Sequence, residues 1–281
     1  MRLIQVPYDS GRKNFRMGNG PSHVVRHALT SLGEFQVETI EVEELAFEQG
    51  TTLRILSSLS HAVSASISGG EFPLVLAGNC VSSLGTLAGL GQRTGVVWLD
   101  AHGDFNTPET TTSGFFDGMA LATATGRCWK NLTATIPGFR AVSEDDVILI
   151  GARDLDPDER KLLDHSAVTQ IGTAAIRQRG VKDAVGTMLT RVKTDQIYLH
   201  IDLDVLDIGE ARVNLFSSTG GLRVSELIEI VSFLAEHKVI AAAAITAYDP
   251  SYEAADNRAV RAAVLVIKEL GEAQLRRAGV E

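Results

Sequence analysis

The chain runs one apolar segment, Val96-Val97-Trp98-Leu99, directly into Asp100, His102 and Asp104. A second, Tyr198-Leu199-His200-Ile201, runs into Asp202 and Asp204. In both, ionisable side chains recur at spacing two, which an extended backbone places on one face. If the two strands are parallel, both sets emerge at the same edge of a sheet. Four carboxylates gathered there repel one another and are costly to desolvate unless cations compensate. Two divalent ions would balance the four charges, and His102 would add a neutral nitrogen. Oxygen-rich ligation with one imidazole favours a hard ion such as Mn(II). Ions sharing carboxylates would lie about 3.5–4 Å apart and could hold a bridging hydroxide as nucleophile at neutral pH.

The elements that must position these groups alternate along the chain. Leu3–Val6, Gln36–Glu41, Pro73–Ala77, Gly95–Leu99, Val147–Ile150, Gln196–Ile201 and Val239–Ile245 read as strands. Several are continuously apolar, as strands buried on both faces of a parallel sheet are. Helical patterns lie between and after them at Ser22–Thr30, Thr51–Ser66, Val81–Gly89, Asp158–Asp164, Val181–Val192, Ser225–Glu236 and Ala255–Glu269. Ser225 before an apolar run and Asp156-Pro157 before an acidic turn read as helix starts. The alternation predicts an α/β fold, one parallel sheet covered by helices on both faces. No repeat or linker divides the chain, so residues 1–281 read as a single domain. The one long irregular stretch, Ala101–Gly118, falls where ligands bind in open α/β sheets, beyond the carboxyl ends of the strands.

Composition narrows the function classes. With 26 basic against 35 acidic residues and a net charge of −9, the chain does not suit nucleic acid or an anionic membrane. Its 44% hydrophobic and 22% charged residues are those of an ordinary globular protein. Cys80 and Cys128 form neither a disulfide framework nor a CxxC pair. The N-terminus reads as a strand, not a signal peptide, and no apolar run is long enough to span a bilayer, so a cytoplasmic location is expected. GxSxG, HExxH and Walker sequences are absent, and Gly89-Leu90-Gly91 leads into a strand instead of leaving one. His200, next to Ile201-Asp202, is expected to point away from the aspartates and to be structural. Trp98 is expected in the core.

The D-A-H-x-D and D-x-D motifs at Asp100–Asp104 and Asp202–Asp204 together resemble those of the arginase–agmatinase–formiminoglutamase family of ureohydrolases. Gly18-Asn19-Gly20-Pro21 is similar to the family's early helix start. The resemblance implies a three-layer αβα sandwich with a mostly parallel sheet of about eight strands. It also implies two manganese ions. One would be held by Asp100, Asp104, Asp202 and a further histidine, the other by His102, Asp100, Asp202 and Asp204. Within the family, Asn106-Thr107-Pro108 and Thr110–Gly114 look most like the arginase branch. That match makes Asn106, Thr111 and Ser113 contacts for a substrate α-carboxylate. Gly151–Glu159 is similar to the segment that receives the α-amino group, which assigns Asp156, with Glu159 in support. Family members are commonly trimers or hexamers, so a homotrimer or homohexamer is implied.

Three positions depart from the pattern. Cys80, in Ala77-Gly78-Asn79-Cys80-Val81-Ser82, replaces the first metal histidine, so either a thiolate ligates there or one ion is weakly held or absent. Asp117 replaces the loop histidine thought to shuttle protons, and inherits that role as acid or base. Ala247 stands where the family has the glutamate that grips the guanidinium; Glu253 is near in sequence. The Cys80 substitution and the Gly103–Thr111 stretch are similar to members that hydrolyse N-hydroxyarginine. The expected function is therefore binuclear metal-dependent hydrolysis of a C–N bond in a guanidino or amidino amino acid. Its products would be an amine and urea or a urea analogue. The alternative is a catalytically silent member that binds metal or an amino acid in a regulatory or scaffolding role.

Overall fold

A computed structural model describes residues 1–279; residues 280 and 281 of the expected domain lie outside the described residues. Eight strands form one sheet: β1 Arg2–Val6, β2 Gln36–Thr39, β3 Pro73–Ala77, β4 Gly95–Leu99, β5 Val147–Ile150, β6 Thr169–Ile171, β7 Gln196–Asp202 and β8 Val239–Thr246. Their spatial order is β2-β1-β3-β8-β7-β4-β5-β6. Every neighbouring pair is parallel, so the sheet is wholly and not merely mostly parallel. A small antiparallel hairpin, Tyr8–Asp9 with Arg12–Lys13, stands apart from it.

Helices α1 Gly20–Leu32, α2 Glu48–Ser68, α3 Ser83–Leu90, α4 Ala120–Ala124, α5 Lys130–Thr133, α6 Pro157–Asp164, α7 Thr173–Arg179, α8 Val181–Leu189, α9 Val224–His237 and α10 Arg258–Arg277 complete the fold. Strand side chains alternate between two cores. Leu74, Leu76, Val97, Leu99, Leu199 and Ile201 pack with α1, α7, α8, α9 and α10. Val75, Ala77, Val96, Trp98, Tyr198 and Ala244 pack with α2, α3 and α4. The chain thus builds helix, sheet and helix layers, the architecture expected from its alternating pattern.

Differences from the sequence reading have local causes. β6 has three residues and α7 seven, too short to show a period, and Gly180 at φ +79° breaks α7 from α8. Asp156 and Pro157 do open α6. Ser225, however, lies inside α9, whose start is marked by the Glu226 carboxylate accepting from the Arg223 amide at 2.8 Å. At the early Gly-Pro start, Pro21 sits in the first turn of α1. A Cβ on Gly20 would lie 2.1 Å from the Tyr248 carbonyl, so only glycine fits there. Among the described residues no helix is long and apolar enough to cross a membrane, and both cysteines are free and buried.

Candidate metal centre and active site

The register of the sheet puts the ligand candidates side by side. Leu99 pairs with Ile201, and Asp202 pairs with Thr246 of the central strand β8. One residue beyond Leu99, Asp100 therefore arrives next to Asp202 at the carboxyl edge. Asp202 turns the chain at once: its carboxylate accepts from the Asp204 amide at 2.8 Å and opens the short turn Leu203–Val205. Asp104 gets there by another route. β4 ends at Leu99, and Asp104 returns to the cluster through a left-handed backbone, φ +49°. The spacing of two thus locates Asp100, His102 and Asp104 together, but a folded loop and not a continued strand brings Asp104 in.

These carboxylates are buried, and the chain satisfies them unequally. Asp100 Oδ2 accepts from Trp98 Nε1 at 3.0 Å, and Oδ1 from the His102 amide at 2.7 Å. His102 Nδ1 lies 3.2 Å from Asp100 and 3.4 Å from Asp204. Asn214 donates to Asp204 at 3.2 Å and to the Ala247 carbonyl at 2.8 Å. Asp104 Oδ2 is buried with no partner. Burial, reinforced by neighbouring acids, pushes Asp100, Asp104 and Asp202 upward in pKa. Burial works against the Asp204 carboxylate too, but His102 beside it brings it down to about 2. This is a charge cluster that the chain does not neutralise by itself. Asp100, His102 and Asp204 offer ligand atoms within 4.8 Å of one another. An orphaned buried oxygen, several carboxylates and one imidazole fit a hard divalent cation.

Above the cluster lies a cavity of about 280 Å³, lined by Cys80, His102, Asp104, Asp117, Asp202 and Asp204 on its floor side. Asn106, Thr111, Ser113, Asp156 and Glu159 line it as well. Asn106 is buried and donates to Asp156 at 3.1 Å, while Ser113 is exposed and Thr111 partly so. Glu159 faces inward: its carboxylate accepts from the Phe105 amide at 2.8 Å and burial raises it to about 7. It braces the loop beside Gly103, where a Cβ would lie 2.7 Å from Glu159 Oε1 and force that carboxylate to shift. Asp117 reaches the cavity with both oxygens engaged, Oδ1 by the Val81 amide at 2.7 Å and Oδ2 by Asn79 Nδ2 at 2.9 Å. Burial, opposed by those amide bonds, places it at about 7.

Ala247 also lines the cavity, at φ +62°, and its methyl offers no carboxylate there. Glu253 does not reach in: its oxygens accept from the amides of Ala259 and Val260 at the start of α10 and from the Tyr248 hydroxyl. The sequence reading also missed contributors. Met17, Phe115, Asp154, Asn214 and Phe216 line the cavity, and Phe115 stacks on Phe216 with ring centroids 6.0 Å apart. Asp154 and Phe115 lie in segments that the sequence reading had singled out without choosing them, whereas Met17, Asn214 and Phe216 come from parts of the chain that only folding brings there.

His200 corrects the expected direction of its side chain. Residues 198, 200 and 202 share one face of β7, because side chains alternate with period two. His200 is fully buried on the same side as Asp202, stacked on Trp98 with centroids 3.6 Å apart. Cys80, Asp100 and His200 bring ligand atoms within 4.8 Å of one another. Burial lowers His200 to about 3, so its imidazole is neutral.

Comparison with known proteins is consistent along nearly the whole chain. The model of the arginase family matches residues 1–271. The arginase of Bacillus caldovelox is 30% identical, over 96% of this chain and 97% of the relative, and that of Brevibacillus brevis 33%, with the same coverage. The crystal structure of arginase from Bacillus cereus superposes with a TM-score of 0.85 at 28% identity, covering 96% of this chain and 97% of that one. With its motifs, its sheet order and these matches taken together, the chain belongs to the arginase family.

Proposed function

We propose that this chain is a metal-dependent hydrolase that cleaves a C–N bond of a guanidino or amidino amino acid, with N-hydroxyarginine as the favoured substrate. The products are an amine and urea or a urea analogue. The observation that carries this reading is the unneutralised carboxylate cluster on the floor of a cavity whose rim bears Asn106, Ser113 and Asp156. Asp100, His102, Asp104, Asp202 and Asp204 would hold two divalent cations, and their oxygen-rich chemistry suits manganese. When bound, they supply Lewis-acid polarisation and a water-derived nucleophile at neutral pH.

The remaining steps belong to the chain. Asn106, Thr111 and Ser113 offer amide and hydroxyl donors to the α-carboxylate of the substrate. Asp156, fixed by Asn106 and Thr112, receives its α-ammonium, with Glu159 holding the loop beneath. Asp104 presents its unpartnered oxygen to the nucleophile's proton. Asp117 delivers a proton to the leaving amine, and its titration near 7 suits that task. The missing carboxylate at Ala247 removes a charge-assisted contact worth about 1.5–3 kcal/mol. A hydroxyguanidine, less basic than a guanidine, depends less on that contact. We further propose that the protein works in the cytoplasm, as one hydrolase domain, assembled as a homotrimer or homohexamer.

Arginine, N-hydroxyarginine, agmatine, guanidinobutyrate and formiminoglutamate should be assayed with added manganese. N-hydroxyarginine is expected to give the highest kcat/KM. Agmatine as best substrate would remove the roles given to Asn106, Ser113 and Asp156. Metal binding with no turnover of any compound would favour the silent, ligand-binding alternative, which the substitutions at Cys80, Asp117 and Ala247 motivate.

A further inference from the structure

The cavity above the carboxylate cluster has a polar part and an apolar one. Asn106, Ser113 and Asp156 supply hydrogen-bonding and charged groups, whereas Met17, Phe115, Phe216 and Ala247 add apolar side chains. Met17 and Ala247 are each 3% exposed and Phe115 is half-buried, while Phe216 opens to solvent at 38%. The Phe216 ring has two aromatic neighbours: Phe115, stacked at 6.0 Å, and the His102 imidazole, with centroids 6.2 Å apart and planes at 88°. It therefore borders the cluster itself. Asn214 holds this wall in place. It is 1% exposed, and its side-chain oxygen accepts from the Phe216 amide at 2.8 Å and from the Ser217 hydroxyl at 3.3 Å. Its side-chain nitrogen donates to the Ala247 carbonyl and to Asp204. One buried amide thus ties the Phe216 loop to the Ala247 turn and to the floor.

The acids lining the cavity lie elsewhere: in the cluster, in Asp154–Glu159, and at Asp117, whose oxygens are already engaged by two amides. A guanidinium pressed against the apolar wall gives up water without gaining a carboxylate, which is costly for a charge. An uncharged planar group of the same shape loses less and gains apolar and stacking contact. We propose that Phe216, backed by Phe115 and positioned by Asn214, is a specificity-determining residue that selects a substrate with an uncharged planar head group over a guanidinium. A hydroxyguanidine, being less basic, reaches its uncharged form more readily than a guanidine. This selection deepens the hydrolase reading, because it rests on the substrate lying in this cavity and names the protonation state that is taken.

The test uses the full chain loaded with manganese and two probes that share one amino-acid end. One is 2-amino-5-ureidopentanoate, whose urea head is planar and uncharged; the other is arginine. Calorimetric titration is expected to show the ureido probe binding at least about tenfold more tightly. Phe216→Leu keeps an apolar wall and is expected to hold that preference. Phe216→Glu puts a carboxylate on the wall and is expected to shift the affinity ratio towards arginine by about 10–100-fold, the range of a charge-assisted contact. Retained manganese binding shows that the variants fold, and the wild-type ratio needs no variant. Arginine binding as tightly as the ureido probe overturns the selection, as does binding of neither probe or a Phe216→Glu ratio equal to that of the wild type. The expected ratios without turnover of any substrate would sink the hydrolase reading and leave the selection standing. Turnover without the ratios would do the reverse.

Discussion

Two buried carboxylates, at opposite ends of the parallel sheet, are treated differently by the chain. Asp146, just before β5, is 1% exposed. It accepts from the Arg93 guanidinium at 2.6 Å and from the Lys193 amide at 2.9 Å. Asp104, past the end of β4, is 6% exposed, keeps one oxygen unpartnered, and has Asp100, Asp117 and Glu159 among its charged neighbours. Burial is nearly the same; the compensation is not. A buried acid that the chain satisfies internally fastens strands together, whereas one left bare among other acids needs a cation from outside.

The largest effect that could break this contrast comes from the metal side. Asp204→Asn should lower turnover more than about a hundredfold, since even groups one contact removed from a metal ligand cost 10–100-fold. Metal content, read by elemental analysis, should fall with it. A variant with normal metal content and activity would place Asp204 with Asp146 as a purely structural acid.

Manganese itself should stabilise the protein by about 2.7 kcal/mol at a hundredfold excess over its dissociation constant. This gain should depend on pH with a definite sign. Asp117 and Glu159 titrate near 7 in the folded chain and lower when unfolded. Between those values the folded state binds more protons, so the metal-free protein loses stability as pH rises towards about 7. Cations compete with those protons. The melting-temperature rise on adding manganese should therefore be greater at about pH 8 than at about pH 5.5. An equal rise at both would mean that the acids around the cavity do not feel the metal.

Asp146→Ala should cost about 1–3 kcal/mol, because the Lys193 amide loses a buried acceptor. Much of the Arg93 side chain is exposed, so the ion pair adds little. Denaturant titration measures the loss, and metal content should not change. The smallest effect belongs to Ala247. Its left-handed backbone is one glycine adopts freely, so Ala247→Gly should be neutral or stabilising by up to about 1 kcal/mol. A clear loss of stability would show that the Ala247 methyl packs more tightly than its position at the cavity wall implies.

The legibility of the molecule from its sequence follows the same divide. Continuous apolar strands announced the sheet, and the motifs at its edge announced Asp100, His102, Asp104, Asp202 and Asp204, because those signals are local and periodic. Cavity residues such as Phe216, Asn214 and Met17 carry no local signal; long-range folding alone assembles them. His200 was legible in principle, since it shares parity with Asp202, and the period-two rule applied strictly would have placed it. Its partners Cys80 and Thr246 come from two other strand ends, and no spacing rule joins the three. Glu253 shows the converse: proximity in sequence to an active-site gap suggested a substitute, but the amides of α10 had already claimed the side chain.

The order of the strands also governs when the centre can exist. β8 is the last strand of the chain, yet it lies at the middle of the sheet, between β3 and β7. Until it inserts, β2-β1-β3 and β7-β4-β5-β6 are separate fragments, each with an unpaired inner edge. Thr246 is absent from the cluster until then, and Cys80, carried just beyond β3, has no fixed relation to Asp202 on β7. Assembly of the complete centre is therefore a late folding event, dependent on contacts between distant parts of the chain. A chain released before its final forty or so residues would carry His102 and every aspartate of the cluster, yet would lack the strand that joins the two halves of the sheet around them.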